Sequence, residues 1–170
     1  ANGSRNIYLK EDIKADSPAV LKGKKIRSMT SSTSMRMLEL MGASPTPMAA
    51  SETYTALQQG VVDGAENTEL ALTVDKHGEV AKSYTYTEHQ YTPDVYIIST
   101  KTWNRLTEEQ QNYLVECLNR SNENFKNKYR QMMEEAIEEA KGMGMTIYYD
   151  IDKTAFIEAV QPLHEEYKAK

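Results

Sequence analysis

Cysteine and histidine are scarce in this chain, and long apolar runs are absent. Its 170 residues include one cysteine, Cys117, so neither an internal disulfide framework nor a cysteine-built zinc site is expected. Three histidines occur, His77, His89 and His164, and no two of them stand at a metal-ligand spacing. No stretch provides the roughly 20 apolar residues that a membrane-spanning helix needs. The sequence therefore predicts neither a metal site nor a membrane span within these residues.

Basic residues are outnumbered by acidic ones, which argues against nucleic acid as a partner. Lys and Arg total 20 and Asp and Glu total 25, so the formal net charge is -5 and the pI is about 5.3. A nucleic-acid-binding domain usually has a strongly basic patch or stripe. The composition therefore favours partners other than nucleic acid.

The usual motifs of nucleotide binding and nucleophilic catalysis are also missing. The chain has no Gly-rich phosphate loop, no serine of a nucleophile elbow and no Cys–His pair, so no cofactor is predicted. One enzyme hypothesis stays open: Asp63, Glu66 and Glu69 would act as acid–base groups, and turnover and a raised carboxylate pKa would be expected. The other interpretation of Asp63–Asn67 is a turn after a buried strand, with Asn67 as a helix cap.

The chain does contain an α/β pattern of about one domain in length. Apolar spacing and capping residues predict a strand at 24–29, a helix ending at Met41, an extended loop at 45–47, a helix at 52–59 and a buried strand at 61–64. Because ligands of α/β sheets bind beyond the carboxyl ends of strands, the residues up to Asn67 are candidates for a binding site.

The longest predicted element is a helix at 107–141. Thr107 and Gln110 form a capping box at its start, and one apolar stripe follows its length. At about 50 Å it is unusually long for a compact domain, which indicates that it crosses between two lobes. The remaining predictions are a polar, turn-rich stretch at 1–23 with a short helix at 18–22, a helix at 68–77, strands at 84–87, 95–98 and 145–149, and a helix at 153–169.

Two arginines can be interpreted in opposite ways. Arg27 follows Ile26 in a predicted strand, where a charged side chain usually marks an exposed face. In a cleft, however, its planar guanidinium would bind a carboxylate through two hydrogen bonds. Arg5 lies close to the first residue of the sequence and is by default a frayed terminal residue. The residue pattern alone leaves both questions open.

The chain resembles a known family in several ordered strings. LKGKKIRSM, MGASPTPM and SETYTALQQGVVDGAEN are specific, and TEHQYTPDVYIIS, KTWNRLTEEQQ and AFIEAVQPLHEEY agree more weakly. These strings resemble the solute-binding proteins of tripartite ATP-independent periplasmic (TRAP) transporters, the DctP family. The resemblance implies a periplasmic-binding-protein-like fold of two α/β lobes that close over an organic acid, with a long helix spanning both. It also implies that this chain is the C-terminal portion of such a protein.

From the resemblance we expect three segments. Residues 1–23 would be the hinge and lobe connection, 24–83 the α/β ligand-binding lobe, and 84–170 the return strands, spanning helix and C-terminal helix of a partial second lobe. The implied protein is no enzyme, is periplasmic or extracellular and membrane-anchored, and works with the transporter's membrane subunits. No signal segment is recognisable at the start of this chain.

The resemblance also assigns site residues. Arg27, in the KIR string, is expected to pair with the ligand carboxylate. Arg5, in the NGSR string, and Asn67, at the end of DGAEN, are expected to contact the ligand. Thr30, Glu66 and His89 complete the predicted site.

The sequence departs from the family pattern in ways that bear on the ligand. Ala50 stands where an aromatic residue is common, Thr68 replaces a usual proline, and residues 30–34 carry mostly hydroxyl groups. Extra space and extra hydroxyls favour a ligand with several hydroxyls, because buried polar groups must find hydrogen bonds. We therefore expect a hexuronate or related sugar acid, with a C4-dicarboxylate as the alternative. The apolar stripe of the long helix further predicts self-association of this 170-residue piece.

Overall fold

A computed structural model describes residues 3–169, and six of its strands form one mixed sheet. The sheet order is β3-β2-β4-β1-β5-β6. β2 runs parallel to β3 and β4, β1 runs antiparallel to β4 and β5, and β6 runs parallel to β5. The strands are β1 Ser4–Leu9, β2 Lys25–Ser28, β3 Ser44–Pro47, β4 Gly64–Asn67, β5 Ser83–Tyr91 and β6 Thr146–Tyr148. The predicted mixed α/β class is confirmed.

Seven α-helices accompany this sheet within the described residues. They are α1 Pro18–Leu21, α2 Ser32–Leu40, α3 Thr53–Gln59, α4 Leu70–Thr73, α5 Thr100–Trp103, α6 Glu108–Gly142 and α7 Thr154–Lys168, with short 3-10 turns at Ala50–Glu52 and His77–Glu79. The predicted long helix is confirmed as α6, which starts at the predicted capping box: Thr107 accepts the backbone N–H of Gln110, and Gln110 reciprocates. None of these helices is both apolar and long enough to span a membrane.

Helices cover both faces of the sheet, so successive side chains along a strand contribute to two different buried clusters. One buried cluster gathers β-strand residues against α1, α2 and α7; it includes Ile7, Leu9, Leu21, Ile26, Leu38, Phe156 and Leu163. The other lies against α3, α4 and the end of α6; it includes Tyr8, Leu57, Ala65, Leu72, Ile137 and Ala140. Because successive strand residues point to opposite faces, Arg27 lies on the face of the second cluster, opposite Ile26.

The buried residues of helix α6 lie near its end. Ala136, Ile137 and Ala140 are buried, whereas Phe125 is 46% exposed and Met132 is 37% exposed. The predicted apolar stripe is thus covered over its last turns and open to solvent along the middle of the helix.

The predicted strand at 61–64 is wrong in position, because β4 begins at Gly64. Val62 is buried in the preceding turn, and Asp63 closes that turn onto Lys25: its carboxylate accepts the Lys25 N–H at 2.7 Å, and its own N–H donates to the Lys25 carbonyl at 2.8 Å. A side chain at position 64 would lie 2.6 Å from Leu9 Cδ2 and closer still to the Tyr8 carbonyl oxygen. Glycine therefore marks the close approach of two strands here, not the turn that was predicted.

The predicted strand at 95–98 is absent. All residues from 91 to 100 are exposed, Ile97 by 90%, and within residues 3–169 no strand pairs with residues 95–98. A strand exists only where another strand satisfies its backbone groups, so apolar, β-branched residues alone do not form one.

Three other local predictions also need correction. The helix expected at 68–77 shrinks to α4, because Lys76 takes a left-handed conformation (φ 59°) before the second 3-10 turn. The loop expected at 45–47 pairs with β2 as edge strand β3, a position that tolerates proline. The polar stretch at 1–23 contributes the central strand β1, where Asn6 is buried but hydrogen-bonds Tyr84 Oη at 2.9 Å.

All three predicted segments contribute strands to the one sheet. β1 comes from 1–23, β2 to β4 from 24–83, and most of β5 and all of β6 from 84–170. Residues 1, 2 and 170 lie outside the described residues. The division between two lobes stays a prediction.

Candidate ligand-binding site

Five of the six predicted site residues, Arg5, Arg27, Glu66, Asn67 and His89, lie at one edge of the sheet. β2 and β4 are parallel, so Arg27 and Asn67 both lie toward their carboxyl ends. β1 is antiparallel to β4, which brings Arg5, near the start of β1, to the same edge. β5 is antiparallel to β1, which brings His89 there as well. This edge is formed by the carboxyl ends of the parallel strands β2 and β4, where α/β sheets bind ligands.

Arg27 is a buried cation whose only hydrogen-bond acceptor in the described chain is a backbone carbonyl. Its side chain and backbone are together 5% exposed, and Nε and Nη2 donate to the Met48 carbonyl at 3.2 and 2.8 Å. Within residues 3–169 no carboxylate lies within ion-pair distance of it. The Met48 carbonyl binds the Nε–Nη2 side of the guanidinium. The Nη1–Nη2 side of the same group therefore remains available to a ligand. Burying a charged group without a counter-ion costs free energy, and an anion bound to the Nη1–Nη2 side of Arg27 would offset that cost.

Arg5 has the opposite surroundings, because it is paired with Glu66. Its Nε and Nη2 donate to the Glu66 carboxylate, Nη2 to Oε1 at 2.9 Å, and Nη2 also donates to the Glu66 carbonyl at 2.9 Å. Glu66 is completely buried. Burial by itself raises the pKa of Glu66, but His89 and Arg5 outweigh it, and the pKa falls below its ordinary value. Arg5 and Glu66 therefore form a neutral, buried ion pair.

His89 completes this cluster. Its Nε2 lies 3.6 Å from Glu66 Oε2, its Nδ1 lies 2.7 Å from Thr87 Oγ1, and its side chain is 4% exposed. The structure thus brings three predicted residues, Arg5, Glu66 and His89, into one group.

Asn67 lies on the other side of the sheet from that group. Strand alternation and the pairing of Asn6 with Asn67 place Asn67 on the Arg27 face, whereas Arg5 and Glu66 lie on the opposite face. Asn67 Oδ1 accepts the N–H of Thr68 at 2.9 Å, and its amide nitrogen donates to nothing in the part of the chain that the structure describes. A ligand bound beyond the carboxyl ends of β2 and β4 could contact residues on both faces of the sheet.

The hydroxyl residues at 30–34 make no hydrogen bond to Arg27 within residues 3–169. Thr30 is exposed. Ser31 caps α2 by accepting the Ser34 N–H at 3.5 Å, so its hydroxyl is already engaged. Ala50 is exposed at the start of the first 3-10 turn, two residues after Met48.

The carboxylates of the enzyme hypothesis are not brought together. Asp63 precedes β4 at the opposite end from Asn67 and is engaged with Lys25. Glu66 has a lowered pKa, whereas burial, with the charge of Glu88, raises the pKa of Glu69. Glu66 is occupied by Arg5, and no hydrogen bond within residues 3–169 joins any two of these three carboxylates. Likewise, the residues at 3–169 contain no group of three or more His, Cys, Asp or Glu that could hold a metal ion.

Two contributors to the site were missed in the sequence. Met48 acts through its carbonyl, which no residue type reveals. Thr87 acts through a hydroxyl two residues from His89. Glu88 between them has a left-handed backbone (φ 46°), so the regular alternation of a strand does not predict this contact.

Comparisons with known proteins agree with the resemblance. The sequence model of bacterial extracellular solute-binding protein family 7, DctP, matches residues 1–170. The protein YiiZ of Salmonella typhimurium is 44% identical over 170 residues, which are 99% of this chain and 51% of that protein.

Solved structures match the fold closely. A TRAP periplasmic solute-binding protein from Anaerococcus prevotii with bound D-glucuronate has a TM-score of 0.87 and 41% identity, covering 96% of this chain and 53% of that one. One from a Sulfitobacter species with bound β-D-galacturonate has a TM-score of 0.88 and 34% identity, covering 98% and 55%. The chain thus spans about half the length of the proteins it matches.

Proposed function

This chain belongs to the DctP family of bacterial extracellular solute-binding proteins, and from that premise we propose that it captures a hexuronate for a TRAP transporter. The hexuronate is a six-carbon sugar acid with one carboxylate and several hydroxyls. The observation that carries the proposal is Arg27, a buried guanidinium whose terminal edge has no protein counter-ion in the described chain.

The rest of the edge supports a ligand with one carboxylate. Arg5 is already neutralised by Glu66, so one unpaired positive charge, that of Arg27, remains among the predicted site residues 5, 27, 66 and 67. The free amide nitrogen of Asn67 suits a hydroxyl oxygen. The bound glucuronate and galacturonate of the similar structures belong to the same ligand class.

The proposed mechanism is capture without covalent chemistry. The carboxylate pairs with the Nη1–Nη2 edge of Arg27, and Asn67 and Arg5 bind the hydroxyl end. Residues 1–23, 24–83 and 84–170 act as lobe connection, ligand-binding lobe and partial second lobe, and α6 spans the two lobes. Lobe closure buries the ligand, and the closed protein docks on the membrane subunits of the transporter outside the cytoplasm.

Ligand binding is tested on the protein at its full natural length. Thermal shift and calorimetry are run with D-glucuronate, D-galacturonate and succinate. A ligand at 100 times its dissociation constant stabilises the folded state by about 2.7 kcal/mol. We expect both hexuronates to stabilise the protein and succinate to do so less.

Two results would count against the proposal. Tighter binding of succinate would replace the hexuronate by a C4-dicarboxylate. Recovery of a chemically altered sugar acid after incubation would favour an enzyme instead, whereas quantitative recovery of the unchanged acid is the expected result.

A further inference from the structure

We propose that the cavity between β5 and α6 is a second small-molecule site, which binds a short primary alkylammonium through the carboxylate of Glu69. None of the six predicted ligand-site residues lines this cavity. The site is therefore separate from the ligand-binding residues at the sheet edge, and it goes beyond the proposed capture of a hexuronate.

The cavity has a volume of about 310 Å³ and lies beside the last turns of the long helix. Met133 and Ile137 of α6 form an apolar wall on one side, and Tyr86 of β5 and Tyr149, the residue after β6, line the other. Glu69, just before α4, also lines the cavity. This volume is at the lower end of the range for ligand pockets, so it suits a molecule of few heavy atoms.

The carboxylate of Glu69 is buried at this cavity and is not neutralised. Glu69 is 5% exposed, and its Oε2 has no hydrogen-bond partner within residues 3–169. Burial raises the pKa of Glu69, and the nearby Tyr86 hydroxyl offsets only part of that change. A buried carboxylate without a partner costs free energy. An ammonium group, which is a cation with three N–H donors, would offset that cost.

The other charged groups at the cavity also favour a cation. Arg130 lines the cavity, but it is exposed, and within residues 3–169 no ion pair joins it to Glu69. Glu134 and Glu138 lie at the same opening, and Glu138 is paired with Lys141 at 2.7 Å. Carboxylates therefore outnumber cations at this cavity, and a cleft lined by negative charge attracts cations.

The aromatic side of the cavity suits an ammonium with a short apolar body. The rings of Tyr86 and Tyr149 stack with their centroids 5.2 Å apart and their planes 15° from parallel. Lys141 Nζ lies 5.6 Å from the centroid of the Tyr149 ring, so this aromatic pair already attracts one cation. The alkyl chain of the ligand would pack between these rings and the apolar side chains of Met133 and Ile137.

Binding is measured by NMR titration and calorimetry on the protein at its full natural length, with n-butylammonium chloride as the probe. Neutral n-butanol has a chain of the same length, and sodium chloride controls for ionic strength. We expect n-butylammonium to bind with a dissociation constant on the order of 1 mM. We expect n-butanol to bind at least about tenfold more weakly, because it lacks the hydrogen bond between two charged groups.

Two pairs of variants locate the site. Glu69→Gln keeps the shape of the side chain but removes its charge, and should weaken n-butylammonium binding at least about tenfold. Glu134→Gln, which removes an exposed carboxylate from the same cavity, should weaken it less than about threefold. If Glu69→Gln does not fold, Met133→Trp should fill the cavity and abolish binding. Met132→Trp, at the preceding position of α6 and outside the lining, should leave binding unchanged.

Three results would overturn this second site. Equal losses for Glu69→Gln and Glu134→Gln would show that the amine is attracted to an acidic surface only. Equal affinities for n-butanol and n-butylammonium would remove the role of the charge. Absence of n-butylammonium binding by the unaltered protein would exclude the site altogether, and it would leave the hexuronate proposal intact, because D-glucuronate binding is measured separately.

Discussion

At the scale of single residues, two arginines at one sheet edge have different electrostatic surroundings. Arg27 donates to a neutral carbonyl, whereas Arg5 donates to a buried carboxylate. Arg27 is 5% exposed and the Arg5 side chain is 13% exposed, but the main difference lies in the charge of their partners. An unpaired guanidinium attracts an anion, and a paired one offers hydrogen bonds with little net charge. The same edge of the sheet therefore holds a charged subsite at Arg27 and a neutral subsite at the Arg5–Glu66 pair.

The first residue-scale prediction concerns Arg27→Lys. An ammonium cannot both keep the Met48 carbonyl contact and present two parallel donors to a carboxylate. We expect the dissociation constant for D-glucuronate to rise at least about tenfold, measured by calorimetry. Arg36→Lys, on the exposed face of α2, is the control. An unchanged constant in the Arg27 variant would remove this residue from the site.

The second residue-scale prediction concerns how Glu66 makes the stability of the fold depend on pH. Its folded pKa lies below the unfolded value of about 4.3, so its charge stabilises the fold above that pH and loses this effect as the pH falls through the folded value. Glu66→Gln should lower the free energy of unfolding at pH 7 by about 3 kcal/mol, because Arg5 loses its partner.

Urea unfolding at pH 7 and at acidic pH would check this. The difference between the unaltered protein and Glu66→Gln should shrink once Glu66 is protonated. Glu165→Gln, whose carboxylate is exposed beside Lys168, should change stability by less than about 1 kcal/mol. A difference for Glu66→Gln that is the same at both pH values would contradict the assignment.

At the scale of elements, the position of β4 depends on how closely the backbone of β1 approaches it. Gly64 pairs with Leu9 and has no room for a side chain. If β4 slipped by one residue, Glu66 and Asn67 would exchange faces, and the ion pair with Arg5 would be lost. The glycine therefore helps to hold the site residues in register.

The substitution Gly64→Ala tests whether the close approach of β1 and β4 at Gly64 limits stability. The added methyl would clash with backbone as well as with Leu9, so we expect a loss of about 3 kcal/mol in unfolding free energy, measured by urea denaturation. Gly142→Ala adds the same methyl at the end of α6, where nothing lies within 4 Å, and should be neutral or slightly stabilising. Equal effects of the two changes would show that close packing at Gly64 is not limiting.

At the scale of the whole molecule, several apolar side chains are exposed close together in the segment after β5 and along α6. Val95, Tyr96 and Ile97 are 77%, 66% and 90% exposed in the segment after β5, and the middle of α6 exposes Phe125 and Met132. Matched proteins are about twice as long as this chain. Large exposed apolar patches drive association when nothing covers them.

We therefore expect the 170-residue chain by itself to form dimers or larger species, or to be poorly soluble. Light scattering would measure this, and charged substitutions at Val95 and Ile97 should reduce association. Val74→Glu changes a single exposed apolar residue elsewhere (68% exposed) and should have little effect. A monodisperse monomer that melts cooperatively would contradict the prediction.

The sequence by itself determined the features that depend on neighbouring residues. The capping box at Thr107 and the start of α6 were predictable because both partners lie three residues apart. The N-cap Ser31 likewise predicted the start of α2, and the C-cap Gly60 predicted the end of α3, but Ser51, the expected cap of the latter helix, does not cap it. The family strings located Arg27, Arg5 and Asn67, whose roles in ligand binding stay predictions.

Only the tertiary structure decided what depends on distant pairing. Arg5 and Glu66 are 61 residues apart, and Arg27 meets the Met48 carbonyl across 21 residues, so no local pattern could assign these partners. Polar residues form the central strand β1 because Tyr84 and Glu88 satisfy Asn6. Apolar residues at 95–98 form no strand, because a strand takes its hydrogen bonds from another part of the chain, and a residue's own sequence neighbours cannot supply them.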